Sequence, residues 1–141
     1  MDIVIVAGRI LWSLVFLGSG LGHLTQTDAM AGYAGSKGIP NPRLAVQATG
    51  AFLIVSALMV VFGVYADLAF LLQAVYLLAV AFTMHDFWKA SDAGTKAMEM
   101  TQFNKNVSLA GGALALFALF SIGGGVFLDF TLTDSLFDWT P

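Results

Sequence analysis

Long apolar stretches alternate with short polar connections along the whole chain. Four of these stretches predict membrane spans at about residues 3–24, 44–65, 68–85 and 104–127. A helix needs roughly 20 apolar residues to cross the hydrocarbon core of a bilayer, and each stretch meets or nearly meets that length. The pattern therefore predicts an all-α protein, an integral membrane four-helix bundle that forms a single domain over residues 1–141.

The connections predict short amphipathic helices in loops 1 and 3. In loop 1, Asp28 is placed to cap a helix, and Gly38 suits the left-handed position that follows its end. Asn41 and Pro42 then fit the N-cap and the first helical position of the second span. The turn at residues 63–67 joins the second and third spans.

In loop 3, Ser91 or Asp92 can cap a helix that continues without a break into the fourth span. The run Gly123-Gly124-Gly125 ends or loosens that helix, because glycine is costly in a helix interior. The tail at residues 128–141 alternates aromatic, aliphatic and acidic residues. Such a pattern is typical of an interfacial or docking segment.

Composition supports a membrane protein and excludes several other classes. The hydrophobic fraction is 58% and the charged fraction 11%, against about 25% charged in a soluble domain. A net charge of −3 without a basic run disfavours nucleic acid as a partner. The absence of cysteine excludes disulfides, thiolate metal sites, iron–sulfur clusters and covalently attached haem in this chain.

The positive charges of the connections predict the orientation of the spans. The two long loops contain the five basic residues Lys37, Arg43, Lys89, Lys96 and Lys105. The positive-inside rule then places these loops in the cytoplasm and both termini outside. The first seven residues contain no lysine or arginine, and no small-residue cleavage site follows the first apolar run. The first span is therefore expected to be retained as a transmembrane helix rather than removed as a signal peptide.

Polar side chains inside apolar spans are costly and mark candidate sites. One such residue, Arg9, lies near the terminal side, roughly 21 Å along the first helix from His23. The simplest role for Arg9 is to snorkel to the surface or to pair with Asp67 or Asp129. A buried anchor for an anionic lipid or a quinone oxygen is the less favoured alternative.

Loop 3, together with the start of the fourth span, contains the most informative cluster. His85 and Asp86 place an imidazole beside a carboxylate, Trp88 adds an aromatic face, and Lys105 and Asn106 follow one helix later. Such groups can hold a quinone, with aromatic rings stacked on it and polar groups bonded to its carbonyls. The alternative is an aromatic belt with a polar network that closes the loop over the bundle, which the residues alone favour.

Two further patterns concern His23 and the glycines. His23 and His85 share one membrane face, so bis-histidine haem ligation is conceivable, although a structural role at a helix end is favoured because no metal-ligand spacing is present. The pair Gly18 and Gly22 has small-xxx-small spacing, which predicts close approach of helix backbones. Similar spacing occurs at residues 108–115.

Several motifs in order give the chain a recognisable likeness. The first span has Gly8-Arg9-Ile10-Leu11 and Phe16-Leu17-Gly18-Ser19-Gly20 before His23, where relatives often have lysine. Loop 1 has Lys37-Gly38-Ile39-Pro40, and the strongest segments are His85-Asp86-Phe87-Trp88 and Gln102-Phe103-x-Lys105-Asn106. From Gly8 to about Gly125 the chain resembles the DoxX family of small bacterial four-helix membrane proteins.

The resemblance implies a multi-pass protein of the bacterial inner (plasma) membrane. The family takes its name from a subunit of a thiosulfate:quinone oxidoreductase, and other members are linked to membrane redox assemblies. The resemblance therefore implies a non-catalytic accessory subunit of a respiratory or other redox complex, in contact with membrane lipid and with other subunits. The alternatives are a quinone- or isoprenoid-binding component of an oxidoreductase and, less favoured, a small transporter or lipid-binding module. The implied contacts to a quinone or lipid are Arg9, His23, His85, Asp86, Trp88, Lys105 and Asn106.

Overall fold

The computed structural model describes residues 2–122 and 131–139 of the chain. The described residues form an all-α structure of five helices: α1 (Asp2–Thr25), α2 (Thr27–Ser36), α3 (Pro42–Phe62), α4 (Ala66–Met84) and α5 (Ala93–Ser121). A single 3-10 turn lies at Phe87–Lys89, between α4 and α5. Helices α1, α3, α4 and α5 are long and apolar enough to cross a membrane. The predicted helical membrane bundle is therefore confirmed.

The helix ends follow local sequence signals at most positions. Gly38, with φ of +81°, follows α2, and Gly63, with φ of +65°, ends α3. Asn41 precedes Pro42 at the start of α3. The Asp92 carboxylate accepts from the backbone N–H of Thr95 at 2.8 Å, so the capped helix does continue into the fourth span. Loop 3 therefore contains only the 3-10 turn and the first turns of α5.

The start of α2 differs from the prediction. Asp28 does not cap this helix: the residue at the N-cap is Gln26, and the helix begins at Thr27. The Asp28 carboxylate instead pairs with the guanidinium of Arg43 across the connection to α3. An ion pair with the next helix is therefore found in place of the expected local cap.

The bundle has two ends, which differ in their connections. The loop end holds α2 and the α4–α5 connection, and the turn end holds the start of α1, the α3–α4 turn and the end of α5. Between the ends, the core contains large side chains packed among small ones, namely Phe16, Leu53, Ala57, Phe70, Leu77, Ala110 and Phe120. A polar chain crosses this core, in which Trp12 donates to Gln73 at 2.8 Å and Gln73 donates to Ser56 at 3.2 Å. These polar groups are mutually satisfied, so they need no ligand.

The close contact between α1 and α3 depends on Gly20 and Gly50. A Cβ atom on Gly50 would lie 2.8 Å from the Cβ of His23, and one on Gly20 would lie 2.9 Å from the Gly50 carbonyl oxygen. The predicted pair behaves differently: a Cβ on Gly18 would meet nothing within 4 Å, and one on Gly22 would meet only Met30. The small-residue spacing identified the right helix but the wrong face of it.

At the turn end, Arg9 is 4% exposed and caps the C-terminus of α3. Its Nε donates to the Val60 carbonyl at 2.7 Å, and its Nη2 donates to the Val61 carbonyl. The last carbonyls of a helix lack partners within the helix, and a buried guanidinium satisfies two of them here. The expectation that Arg9 snorkels to the surface is therefore wrong. Of the two acidic residues that the sequence suggested as partners of Arg9, Asp129 lies outside the described residues.

The described part of the tail, residues 131–139, packs on the turn end of this same chain. Leu132 donates to the carbonyls of Phe62 and Gly63 at 3.3 and 3.1 Å, and Trp139 donates to the Ser121 carbonyl at 2.9 Å. The Phe137 N–H donates to the buried carboxylate of Asp67 at 2.7 Å. The segment that the sequence favoured for docking thus docks on its own bundle. The run at residues 123–125, expected to end the helix, lies outside the described residues, and α5 ends just before it at Ser121.

Replacing Arg9 with methionine is expected to lower the free energy of unfolding by about 1–3 kcal/mol, because the partly buried Val61 carbonyl loses its donor. The measurement is reversible unfolding of the purified protein in detergent. Arg43→Met is the matched control, since Arg43 forms an exposed pair with Asp28 that is worth little. Equal effects of the two substitutions would contradict the capping role of Arg9.

Gly50→Ala is expected to destabilise the bundle by roughly 1–3 kcal/mol, because the added methyl group overlaps His23 and forces α1 away from α3. Gly18→Ala, on the open side of α1, is expected to stabilise it by roughly 0.5–1 kcal/mol through better helix propensity. The same unfolding assay compares the two variants. A stabilising Gly50→Ala substitution would show that the α1–α3 contact is looser than described.

Candidate functional site

Polar side chains from four helices meet at the loop end of the bundle. His85 follows the last residue of α4, His23 lies in the last turn of α1, and Glu99 lies in the second turn of α5. The buried face of α5 continues from Glu99 to Asn106 and Ala110 at helical spacing. The end of α4, the covering helix α2 and the early turns of α5 therefore enclose one polar region.

Glu99 is the centre of this region and is 6% exposed. Its Oε1 accepts from the Tyr33 hydroxyl at 2.8 Å, and its Oε2 lies 2.8 Å from Nδ1 of His85. The Lys37 ammonium lies 3.9 Å from Oε1. Burial, and then the hydrogen bond to Glu99, raises the pKa of Tyr33. The Tyr33 hydroxyl therefore keeps its proton and acts as a donor.

Asp86 forms a second group of ion pairs beside Glu99. Its carboxylate pairs with Lys37 of α2, and with Lys89 of the 3-10 turn at 3.0 Å. The Tyr33 hydroxyl is also 2.9 Å from the Met84 carbonyl oxygen, at the end of α4. These contacts hold α2 against the α4–α5 connection, as in the predicted network that closes the loop over the bundle.

Two cavities lie below this network. The larger has a volume of about 420 Å³ and lies between α3 and α4 under α2, with a mostly apolar lining. The smaller has a volume of about 160 Å³, lies among α1, α4 and α5, and has a more polar lining. Four residues line both cavities, namely His23, Tyr76, Val80 and His85.

The smaller cavity contains polar groups without partners in the described part of the protein. The Asn106 side chain is 6% exposed, lines this cavity and forms no hydrogen bond to another described residue. The Tyr76 hydroxyl and Nε2 of His85 are likewise left without a protein partner among the described residues. His23 is similar to His85, because its Nδ1 lies 3.0 Å from the Thr49 hydroxyl and its Nε2 has no partner among the described residues. Buried polar groups are normally paired, so four unpaired groups at one cavity make this cavity the candidate binding site.

The structure brings together four of the seven candidate residues. His23, His85, Lys105 and Asn106 line the smaller cavity. The other three lie elsewhere: Asp86 belongs to the ion pairs with α2, Arg9 lies at the turn end, and Trp88 packs in an aromatic cluster. That cluster consists of edge-on and tilted contacts among Phe82, Phe87, Trp88 and Phe103 at centroid distances of 5.1–6.4 Å.

Reasoning from the sequence missed Tyr33, Lys37, Tyr76 and Glu99 as members of this region. Glu99 had a detectable signal, because its spacing of three and seven residues from Gln102 and Asn106 places all three on one helix face. Tyr33 and Lys37 lie on α2, whose packing over the bundle has no local signal. Among the described residues, no group of three metal-ligating side chains could hold a metal ion.

Comparison with known proteins identifies the family. A sequence model of the DoxX family matches residues 4–86, which is more than half of the chain and includes three of its four spans. Comparisons with curated proteins and with solved structures give no match. The matched region includes His23 and His85 but ends before Lys105 and Asn106. With four helices suited to a bilayer, the chain is a multi-pass membrane protein that belongs to the DoxX family.

Proposed function

We propose that this protein binds an isoprenoid quinone at the loop end of the bundle, as a component of a membrane oxidoreductase. The proposal rests on the arrangement of two cavities. A small polar cavity lies next to a larger apolar one, and four residues line both. A quinone has the matching form, since a polar ring is joined to an apolar isoprenoid tail.

The cavity volumes fit the two parts of such a molecule. A cavity of about 150 Å³ accommodates benzene in another protein, so the smaller cavity of about 160 Å³ suits a single six-membered ring. Pockets for larger ligands span about 300–1,000 Å³, and the apolar cavity of about 420 Å³ lies in that range. The ring would therefore occupy the smaller cavity and the start of the tail the larger one.

The unpaired polar groups supply contacts to the oxygens of the ring. The Asn106 amide and the Tyr76 hydroxyl can donate to a ring oxygen, and the Lys105 ammonium lies at the outer edge of the same cavity. Exposed Ala79 and Thr83 line the apolar cavity on the outer surface of α4. A lipophilic molecule can enter between α3 and α4 directly from the bilayer.

A role as a non-catalytic accessory subunit of a respiratory or other redox complex is compatible with this site. The chain has no cysteine with which to hold an iron–sulfur cluster, so electrons would come from a partner subunit. The tail no longer favours this role, because its described part packs on the protein itself. The positions of the basic residues support an orientation with the loop end in the cytoplasm, and a bacterial plasma membrane location is what the family resemblance implies.

Asn106→Leu is expected to weaken binding of a short-tailed benzoquinone about tenfold, because the ring oxygen loses a buried donor. The fold should be unaffected, since Asn106 makes no hydrogen bond to another described residue. Asn104→Leu is the matched control, an identical change at an exposed position of the same helix. Equilibrium binding to the protein in lipid nanodiscs measures the difference. Equal affinities of the two variants would remove Asn106 from the site.

Affinity purification of the tagged protein from its native membranes in mild detergent tests the accessory role. Stoichiometric recovery of dehydrogenase or respiratory subunits, with a redox difference spectrum from their cofactors, is the expected result. Recovery of the chain alone, together with bound quinone, would instead support an independent quinone-binding protein. Recovery of the chain without either would contradict both roles.

A further inference from the structure

The hydrogen bonds of His85 determine which ligand chemistry the smaller cavity can accept, on the basis of the proposed quinone site. The Glu99 carboxylate lies 2.8 Å from Nδ1 of His85. An ionised carboxylate only accepts hydrogen bonds. The ring must therefore carry its proton on Nδ1, and in the neutral imidazole Nε2 is then an acceptor.

The position of the Glu99 carboxylate is itself fixed by groups of α2. The Tyr33 hydroxyl donates to Oε1 at 2.8 Å, and the Lys37 ammonium lies 3.9 Å from the same oxygen. Both groups hold Oε1, which leaves Oε2 for His85. The arrangement resembles the carboxylate–histidine pairs that fix the tautomer of metal-binding histidines, but here the histidine lines a cavity.

The imidazole of His85 lines both cavities, and its Nε2 has no hydrogen-bond partner among the described residues. We propose that Glu99, through His85, makes this site selective for the reduced, hydroxyl-bearing form of the ligand. A quinol donates its O–H to Nε2, whereas a quinone carbonyl places two acceptors against each other. Leaving an acceptor unpaired in a buried site is costly, so the quinol is expected to bind about tenfold more tightly than the quinone.

The other titratable and charged groups around His85 come from every element that surrounds the cavities except α3, whose lining residues have none. They are His23 of α1, Tyr33 and Lys37 of α2, Tyr76 of α4, Asp86 of the connection, and Glu99 and Lys105 of α5. The Tyr76 hydroxyl and the Asn106 amide can serve either form of the ligand. His23 and His85 both line the two cavities, but His85 is the one whose proton position a carboxylate determines.

Glu99→Gln tests this selectivity by reversing the tautomer. The Lys37 ammonium and the Tyr33 hydroxyl both favour the amide oxygen of the glutamine at the position of Oε1, so the amide NH₂ faces His85. The NH₂ group donates to Nδ1, and the ring proton moves to Nε2. Nε2 then donates to a ligand oxygen, and the preference should change from quinol to quinone.

The measurement is equilibrium binding of a short-tailed benzoquinol and its quinone to the protein in lipid nanodiscs, without oxygen. The ratio of the two affinities should fall about tenfold or more in Glu99→Gln. Asp138→Asn, an equivalent loss of charge at an exposed residue of the tail, should leave the ratio unchanged.

The dimethyl ether of the same quinol provides a second test that needs no variant. The ether retains the ring but has no O–H to donate, so it should bind the wild-type protein about tenfold more weakly than the quinol. A ratio of affinities near one for the wild type, or one that Glu99→Gln leaves unchanged, would overturn the selectivity while the quinone site stands. Failure of the wild type to bind either form would overturn both.

Discussion

The last carbonyls of a helix have no partners within the helix, so a buried helix end needs donors from the rest of the protein. At the turn end this requirement is met in full for α3. The Met59 carbonyl accepts from the Val64 N–H at 2.9 Å, and Phe62 accepts from Leu132. Arg9 satisfies the two carbonyls between them. A lipid-facing helix end with unpaired carbonyls would cost several kcal/mol per group, so the burial of an arginine at this depth has a structural cause.

At the loop end the helix ends are also closed by polar contacts, but some hydrogen-bonding side chains there have no protein partner. The Tyr33 hydroxyl lies 2.9 Å from the Met84 carbonyl at the end of α4, and ion pairs fasten α2 over the connection. These contacts close the bundle without using the Asn106 amide, the Tyr76 hydroxyl or Nε2 of His85. Both ends have polar residues beside a cavity: at the turn end a mostly apolar cavity of about 230 Å³ is lined by Arg9 and Trp12, and the buried Oδ1 of Asp67 has no partner among the described residues. The loop end differs because polar residues of several helices line one cavity, and the proposed ligand site is therefore the one near His85.

The sequence predicted the parts of the fold that depend on local signals. Hydropathy located the four spans, and Gly63, Pro42 and Asp92 marked helix ends correctly because each acts through its own backbone or its nearest neighbours. The predicted N-cap of α2 was wrong, since the Asp28 carboxylate pairs with Arg43 of the next helix instead. Tertiary contacts of this kind have no signature at the position itself.

The candidate site was predictable to a similar extent. His85, His23, Lys105 and Asn106 stood out because polar residues are rare near apolar spans, and they do share one cavity. Arg9 and Trp88 stood out for the same reason but lie elsewhere, because rarity gives no information about depth or direction. The tail looked like a docking segment for a partner, yet its N–H groups serve the turn end of the same chain.

The packing of the bundle does not by itself explain why a carboxylate occupies the buried position 99. A buried carboxylate is costly to desolvate, and well-packed apolar residues often replace such groups without loss of stability. The attachment of α2 would still have the Lys37–Asp86 pair if a leucine occupied position 99. What a leucine could not do is hold the proton of His85 on Nδ1 and leave Nε2 as an acceptor at the cavity. On the proposed site, the ligand chemistry that Glu99 would set explains the cost of its burial better than the stability of the bundle does.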